Sequence, residues 1–193
     1  MRIIKINATN STNSFLKELA QSSSLDELTV AVTNKQTSCR RQMNNSWVSE
    51  PYKNLTFSLL TPLKKIKIEH QAYLNFAVSL AIYDTLLEYD VPKLYIKWPN
   101  DIMSDNKKIC GILIENTFFD FRIKNTIVGI GLNVNQLNFD ELPKASSLAV
   151  IMKKEFDKNV ILNQFIDCLK LNCDLLNNKL AFQLWDNYNN KLF

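Results

Sequence analysis

A cluster of charged and amide side chains interrupts an apolar segment near the middle of the chain. Ile96 to Trp98 leads into Pro99, then Asn100 and Asp101, and Lys108 precedes the next apolar run. A lysine beside an Asn-Asp pair can bind a carboxylate or a phosphate, and the aspartate can orient that lysine, bind a metal ion or accept a proton. The same residues also fit a solvated hairpin with a surface ion pair worth about 0–1 kcal/mol. Spacing alone leaves both interpretations open.

Glycine placement gives a second signal. The chain has only 3 glycines, and Gly129 and Gly131 both fall in the apolar segment TIVGIGLNV. Glycine weakens a strand unless something must approach its backbone closely, as a flat ligand would. Asn133, near the end of this segment, offers a donor and an acceptor to the edge of a heterocycle. A β-bulge or tight packing against a helix would explain the glycines equally well.

A polar stretch without periodicity, residues 34–51, contains the third candidate. Long loops in compact domains are often functional, and Arg40 and Arg41 could close over a phosphate. A solvated basic loop is the alternative.

Composition narrows the class of protein. The net charge is +4 without a long basic run, so nucleic acid is not expected as a partner. The 4 cysteines form no Cys-x-x-Cys pair, and no apolar segment has membrane-spanning length, so we expect a cytoplasmic protein with reduced thiols and no membrane contact. No metal-ligating cluster stands out, so the residues alone predict no metal site.

The elements that must position these residues follow from periodicity. Strands are predicted at about 3–6, 28–33, 55–60, 94–98, 109–115 and 126–134, and helices at about 12–20, 69–89, 146–152 and 157–180. Strands and helices do not alternate strictly, which favours an α+β fold with a mixed or mostly antiparallel sheet backed by helices.

Together the motifs resemble the catalytic domain of biotin–protein ligases. The matching segments are Ser11-Thr12-Asn13, the strand Asn54 to Ser58, Lys97-Trp98-Pro99-Asn100-Asp101-Ile102, Lys108 to Glu115 (KICGILIE), and Gly129 to Asn135 (GIGLNVN). Their order and spacing agree with that family from about residue 8 to about residue 185.

The resemblance implies a mixed sheet related to the cores of class II aminoacyl-tRNA synthetases and lipoate ligases. It also implies an ATP-dependent biotin–[acetyl-CoA-carboxylase] ligase that uses Mg-ATP and biotin to make biotinyl-5′-AMP. The biotinyl group then passes to a lysine of a biotin carboxyl carrier domain. The expected assembly is a monomer or a homodimer.

Residue roles follow from the same resemblance, position by position. It implies catalytic roles for Lys108, Asp101 and Arg40. The implied biotin-binding residues are Ser11, Thr12, Asn13, Gln36, Arg40, Arg41, Gln42, Lys108 and Gly111. The implied nucleotide-binding residues are Trp47, Asn100, Asn133 and Arg40.

The chain departs from the family pattern in one loop. The family's G-R-G-R-x-G clamp is replaced by Cys39 to Asn44 (CRRQMN), which keeps the first arginine as Arg40 and has no glycine. Non-glycine residues restrict positive φ, so the clamp could close less well. A non-catalytic biotin- or biotinyl-AMP-binding protein is therefore one alternative function, and a lipoate or octanoate ligase of the same fold is another.

The resemblance also predicts the domain organisation. Residues 1–185 are expected to form the catalytic domain, and residues 186–193 a tail where an SH3-like domain would begin in the family. No N-terminal DNA-binding domain is expected.

Overall fold

The computed structural model describes residues 1–22, 27–37, 49–61, 71–119, 122–177 and 180–193. The chain forms two compact units, each assembled from separate segments. Unit 1 comprises Met1–Ile68 and Ile112–Leu132, and unit 2 comprises Glu69–Gly111 and Asn133–Phe193.

The strands form one mixed sheet in the order β1-β2-β3-β7-β6-β5-β4. Their bounds are β1 Arg2–Thr9, β2 Thr29–Gln36, β3 Leu55–Thr61, β4 Leu94–Lys97, β5 Asp101–Ser104, β6 Lys107–Phe119 and β7 Arg122–Leu132. The helices are α1 Thr12–Ser22, α2 Gln71–Leu87, α3 Leu148–Met152, α4 Lys158–Asn177 and α5 Ala181–Asn189. The predicted α+β class with a mixed sheet is confirmed.

Unit 1 is a sheet covered by one helix. β1 runs parallel to β2, β2 antiparallel to β3, and β3 antiparallel to β7. The helix α1 contacts β2, β3 and β7. Leu16 of α1 is fully buried against Ala31, Leu60 and Ile127, which fixes the start of this helix over the sheet.

Unit 2 is built around α2, which packs against α4, α5, β4 and β5. The sequence of α2 is apolar on nearly all sides, as expected for a helix surrounded by other elements. The ring of Phe76 on α2 lies 4.4 Å from that of Tyr188 on α5, measured between ring centroids, and Tyr188 is fully buried.

Two elements differ from the prediction. The sequence suggested one hairpin between the strands at 94–98 and 109–115, which is wrong because β5 lies between β4 and β6 and pairs with both. Asp101 therefore begins a strand, although its neighbours Pro99 and Asn100 are turn residues. The helix α5 was not predicted, and after it the backbone of residues 191–193 hydrogen-bonds Ile96 of β4.

Candidate functional site

Lys108 and Asp101 form an ion pair on neighbouring strands of unit 2. Nζ of Lys108 contacts Oδ1 of Asp101, and the two side chains are only 23% and 22% exposed. Oδ1 of Asp101 has no further hydrogen-bond donor among the described residues. Salt screens the attraction within such a partly buried pair less than within a surface pair, and the lysine still has donors to offer an anion.

The backbone of Lys108 is fixed by a second segment of unit 2. Its N–H donates to the carbonyl of Lys144 at 2.8 Å, and its carbonyl accepts from the N–H of Ser146 at 3.1 Å. This bridge runs parallel to β6 and centres on Ala145. Both backbone hydrogen-bonding groups of Lys108 are therefore paired, which fixes the position from which its side chain extends.

The turn before Asp101 is anchored through the carbonyl of Pro99. That oxygen accepts a hydrogen bond from Nδ2 of Asn75 at 2.6 Å and one from the hydroxyl of Tyr188 at 3.3 Å. The Trp98-Pro99 peptide bond is cis, and the Trp98 side chain is 72% exposed. Asp101 follows directly and lies opposite Gly111 of β6.

Asn133 is a buried amide with one unused acceptor. Its N–H donates to the carbonyl of Ile109 at 2.9 Å, and its Nδ2 donates to the carbonyl of Ser146 at 2.9 Å. Reversing the amide would place two oxygens together, so Oδ1 faces the other way. No donor among the described residues reaches that Oδ1. A buried acceptor without a partner costs about 1–3 kcal/mol, which a ligand amino group would recover.

The start of α1 carries a polar network in unit 1, which we call the Asn13 network. Its members are Thr12, Asn13, Gln36, Ser58 and Glu115. Nδ2 of Asn13 donates to Oε2 of Glu115 at 2.6 Å, and its Oδ1 accepts from the hydroxyl of Ser58 at 2.5 Å. The hydroxyls of Ser58 and Thr12 are 2.6 Å apart.

Gly129 makes room for this network. A Cβ at this position would lie 2.4 Å from Oδ1 of Asn13, closer than real contacts allow. Its φ is not positive, so backbone conformation does not require glycine here. The close approach is made by a side chain of α1, so at Gly129 the structure agrees with tight packing against a helix, one of the two explanations that the sequence left open.

The other predicted residues fall into two groups. Ser11 is buried and caps α1, because its Oγ accepts from the N–H of Ser14 at 3.3 Å. Asn100 lies in the turn between β4 and β5 and is half-buried. Arg40, Arg41, Gln42 and Trp47, with the rest of the Cys39–Asn44 loop, lie outside the described residues.

Sequence reasoning assigned no role to Ser58, Glu115 or Ser146, which hold predicted site residues in place. Glu115 did carry a signal, since a charged residue at the end of an apolar strand needs a partner. No sequence signal points to the carbonyl of Ser146, because every residue has a backbone carbonyl.

Cys110 lies on β6, two residues after Lys108, and is fully buried. Burial raises the pKa of its thiol far above the ordinary value. A protonated, inaccessible thiol is a poor nucleophile, so Cys110 is a packing residue.

Within the described part of the chain, no helix combines the length and the apolar character needed to cross a membrane.

Residues 6–135 match the sequence model of the biotin/lipoate A/B protein ligase family. The bifunctional ligase/repressor BirA of Bacillus subtilis is 32% identical over 165 residues, which cover 83% of this chain and 50% of that protein. The biotin–[acetyl-CoA-carboxylase] ligase of Mycobacterium tuberculosis is 26% identical over 161 residues, covering 82% and 59%. The chain thus spans about half the length of these relatives.

Solved structures agree with the sequence comparison. The biotin protein ligase of Aquifex aeolicus in complex with biotin and ATP superposes with a TM-score of 0.86 at 27% identity, covering 100% of this chain and 78% of that one. The Leishmania major enzyme in complex with biotinyl-5-AMP has the same fold, with a TM-score of 0.83 at 21% identity over 100% of this chain and 81% of that one. The chain therefore belongs to the biotin/lipoate A/B protein ligase family.

Proposed function

We propose that this protein is an ATP-dependent biotin–protein ligase. A carboxylate oxygen of biotin attacks the α-phosphorus of Mg-ATP, and pyrophosphate leaves. The amine of a lysine on a carrier domain then attacks the carboxyl carbon of biotinyl-5′-AMP, and AMP leaves. The observation that carries the proposal is the shielded Lys108–Asp101 pair inside the segment that matches the family.

Lys108 is suited to the first step. The biotin carboxylate and the α-phosphate are both anions, and a fixed cation lowers their repulsion and stabilises the charge that develops in the transition state. The backbone bridge to residues 144–146 and the Asp101 carboxylate hold this cation before any substrate binds. A prepositioned charge loses little free energy to reorganisation during the reaction.

Asp101 is suited to the second step as well as the first. Its carboxylate orients Lys108, and it can also orient the incoming amine or accept the proton that this amine must lose. The anchored carbonyl of Pro99 fixes the backbone directly before it.

Asn133 is proposed to bind the adenine base. The unpartnered Oδ1 accepts from an amino group, and adenine carries one on its ring edge. In this proposal Ser11, Thr12, Asn13 and Gln36 bind the biotin head group, and Arg40, Arg41, Gln42, Trp47, Asn100 and Gly111 keep the roles that the resemblance implies.

The decisive experiment is biotin-dependent labelling of a biotin carboxyl carrier domain with Mg-ATP, beside a ligase known to be active. Labelling together with pyrophosphate release supports the proposal. Biotin binding without turnover, measured by calorimetry, would instead identify a non-catalytic binding protein. Because the family includes lipoate ligases, lipoate is tested in competition, and a preference for lipoate would reassign the substrate.

Lys108→Ala should lower kcat/KM for adenylate formation by about 10²–10³, the usual effect of removing one electrostatic contact to the transition state. The matched control is Lys107→Ala, because Lys107 is the adjacent, exposed lysine whose Nζ contacts the carbonyl of Pro143 instead. Equal activity of the two variants would contradict the role of Lys108.

A further inference from the structure

We propose that Glu115 is a positioning residue that sets the direction of the hydrogen bonds running from Asn13 through Ser58 to Thr12 in the Asn13 network. Through Asn13 and Ser58 it leaves the Thr12 hydroxyl able only to accept a hydrogen bond from a ligand. The start of α1 thereby selects a head group that carries an N–H donor, such as a cyclic urea. This inference rests on the proposed function and names the chemical feature that the site recognises.

The direction begins at Glu115. An ionised carboxylate can only accept, so the amide of Asn13 must turn its Nδ2 toward Oε2 of Glu115, at 2.6 Å. Oδ1 of Asn13 consequently faces Ser58. Glu115 is half-buried, while Asn13 is 6% and Ser58 0% exposed, so water cannot readily substitute for either partner.

The direction passes to the hydroxyls. Oδ1 of Asn13 cannot donate, so the single proton of Ser58 lies in their 2.5 Å contact. The 2.6 Å contact between Ser58 and Thr12 also needs a proton, because two bare oxygens would repel at that distance. Ser58 has none left. Thr12 therefore donates its only proton to Ser58.

Gln36 completes the pattern on the other side of Thr12. Its Oε1 accepts from the backbone N–H of Thr12 at 3.2 Å, so its Nε2 points elsewhere as a donor. Oε1 also lies 3.3 Å from the Thr12 hydroxyl, a longer contact than that hydroxyl makes with Ser58. Around Thr12 the network therefore offers a ligand one hydroxyl lone pair and one amide donor.

This pattern has a consequence for substrate choice. A cyclic urea presents an N–H beside a carbonyl, which matches the acceptor of Thr12 and the donor of Gln36. The dithiolane head of lipoate has no N–H, so it would leave the lone pair of Thr12, a residue 3% exposed, without a partner. Sites built to hydrogen-bond a substrate reject analogues that lack the group by large factors.

The test compares Glu115→Ala with Glu115→Gln. The glutamine can still accept from Nδ2 of Asn13, so its biotin Kd should stay within about twofold of wild type. The alanine removes that acceptor and frees the Asn13 amide to reverse, so biotin Kd should rise about tenfold, the equivalent of one hydrogen bond. KM for ATP should be unchanged in both. Glu18→Ala, which removes an exposed acid from α1, is the matched control.

The relay itself is tested in a Ser58→Ala background. Because that variant interrupts the hydrogen bonds that connect Asn13 to Thr12, adding Glu115→Ala should weaken biotin binding no further. If Glu115→Ala fails to fold, as judged by thermal melting, Ser58→Ala alone carries the test. The expected result is then weaker biotin binding with an unchanged KM for ATP.

The outcomes separate this inference from the proposed function. Equal biotin Kd for wild type, Glu115→Ala and Glu115→Gln would overturn the inference while leaving the ligase proposal intact. A parallel rise in KM for ATP would also overturn it, because it would indicate general damage. Absence of biotin binding by wild type would refute the proposed function itself.

Discussion

Replacing Gly129 by alanine should destabilise the protein, although alanine suits a strand better than glycine does. Backbone entropy alone predicts a gain of about 0.5–1 kcal/mol for this substitution. The new Cβ, however, would lie 2.4 Å from Oδ1 of Asn13, about 1 Å closer than an ordinary contact. Asn13 must move by about that distance, which breaks its 2.5 Å hydrogen bond with Ser58.

The magnitude follows from these terms. Losing a buried hydrogen bond costs about 1–3 kcal/mol, and overpacking adds about 1–3 kcal/mol. After the entropy gain, the free energy of unfolding should fall by about 1–5 kcal/mol. For a chain of this size, that corresponds to a drop in Tm of about 2–20 °C. Urea denaturation followed by circular dichroism measures the change.

A double-mutant cycle identifies the cause. Asn13→Ala should cost about 1–3 kcal/mol because it leaves Ser58 and Glu115 without their partner. Adding Gly129→Ala to that variant should cost little more, since the clashing oxygen is gone, giving a coupling energy of at least about 1 kcal/mol. Additive effects, or a Gly129→Ala variant as stable as wild type, would refute the steric explanation.

Three further predictions concern unit 2. Asn133→Asp should raise the KM for ATP at least tenfold, and more than Asn133→Ala does, because its second carboxylate oxygen would face the carbonyl of Ser146. Steady-state kinetics with varied ATP measure both values, and a larger rise for Asn133→Ala would contradict this explanation. Burial raises the pKa of the Cys173 thiol to about 11, so iodoacetamide at about pH 8 should alkylate it about a hundredfold more slowly than the urea-unfolded chain, as followed by mass spectrometry; equal rates would contradict this. Burial also raises the pKa of Asp84, against the opposing effects of Asn172 and Lys191, so the folded state binds this proton more tightly than the unfolded state does. Relative to Asp84→Asn, wild type should therefore gain stability as the pH falls from about 7 toward about 4. Denaturation at several pH values gives the free energy of unfolding of both proteins, and an identical pH dependence would refute the prediction.

Periodicity predicted most of the elements because each one buries a regular face. The α1 helix illustrates this, since Leu16 is the apolar position that meets the sheet. Strand β5 was missed because it has only four residues and follows Pro99 and Asn100, which favour a turn. Its strand conformation comes from pairing with β4 on one side and β6 on the other, which local sequence does not encode.

The helix α5 was missed although it carried a signal. Leu184 and Tyr188 are four residues apart and both fully buried, so they mark the face of this helix that packs inward. For the candidate site, the family motifs drew attention to Lys108, Asp101 and Asn133, whose roles stay predictions. They could not reveal the direction of hydrogen bonds in the Asn13 network, which depends on Glu115, 102 residues after Asn13.

The discontinuity of unit 1 has a consequence for the order of folding. All of Glu69–Gly111, a segment of unit 2, must be synthesised between the two parts of unit 1. Until Glu115 and Gly129 have left the ribosome, the Asn13 side chain lacks both its carboxylate acceptor and the strand position against which it packs. Contacts between such distant residues form slowly, because a long loop must close before they contribute any stability. We therefore expect the Asn13 network to become ordered late in synthesis, when the chain already extends beyond β7.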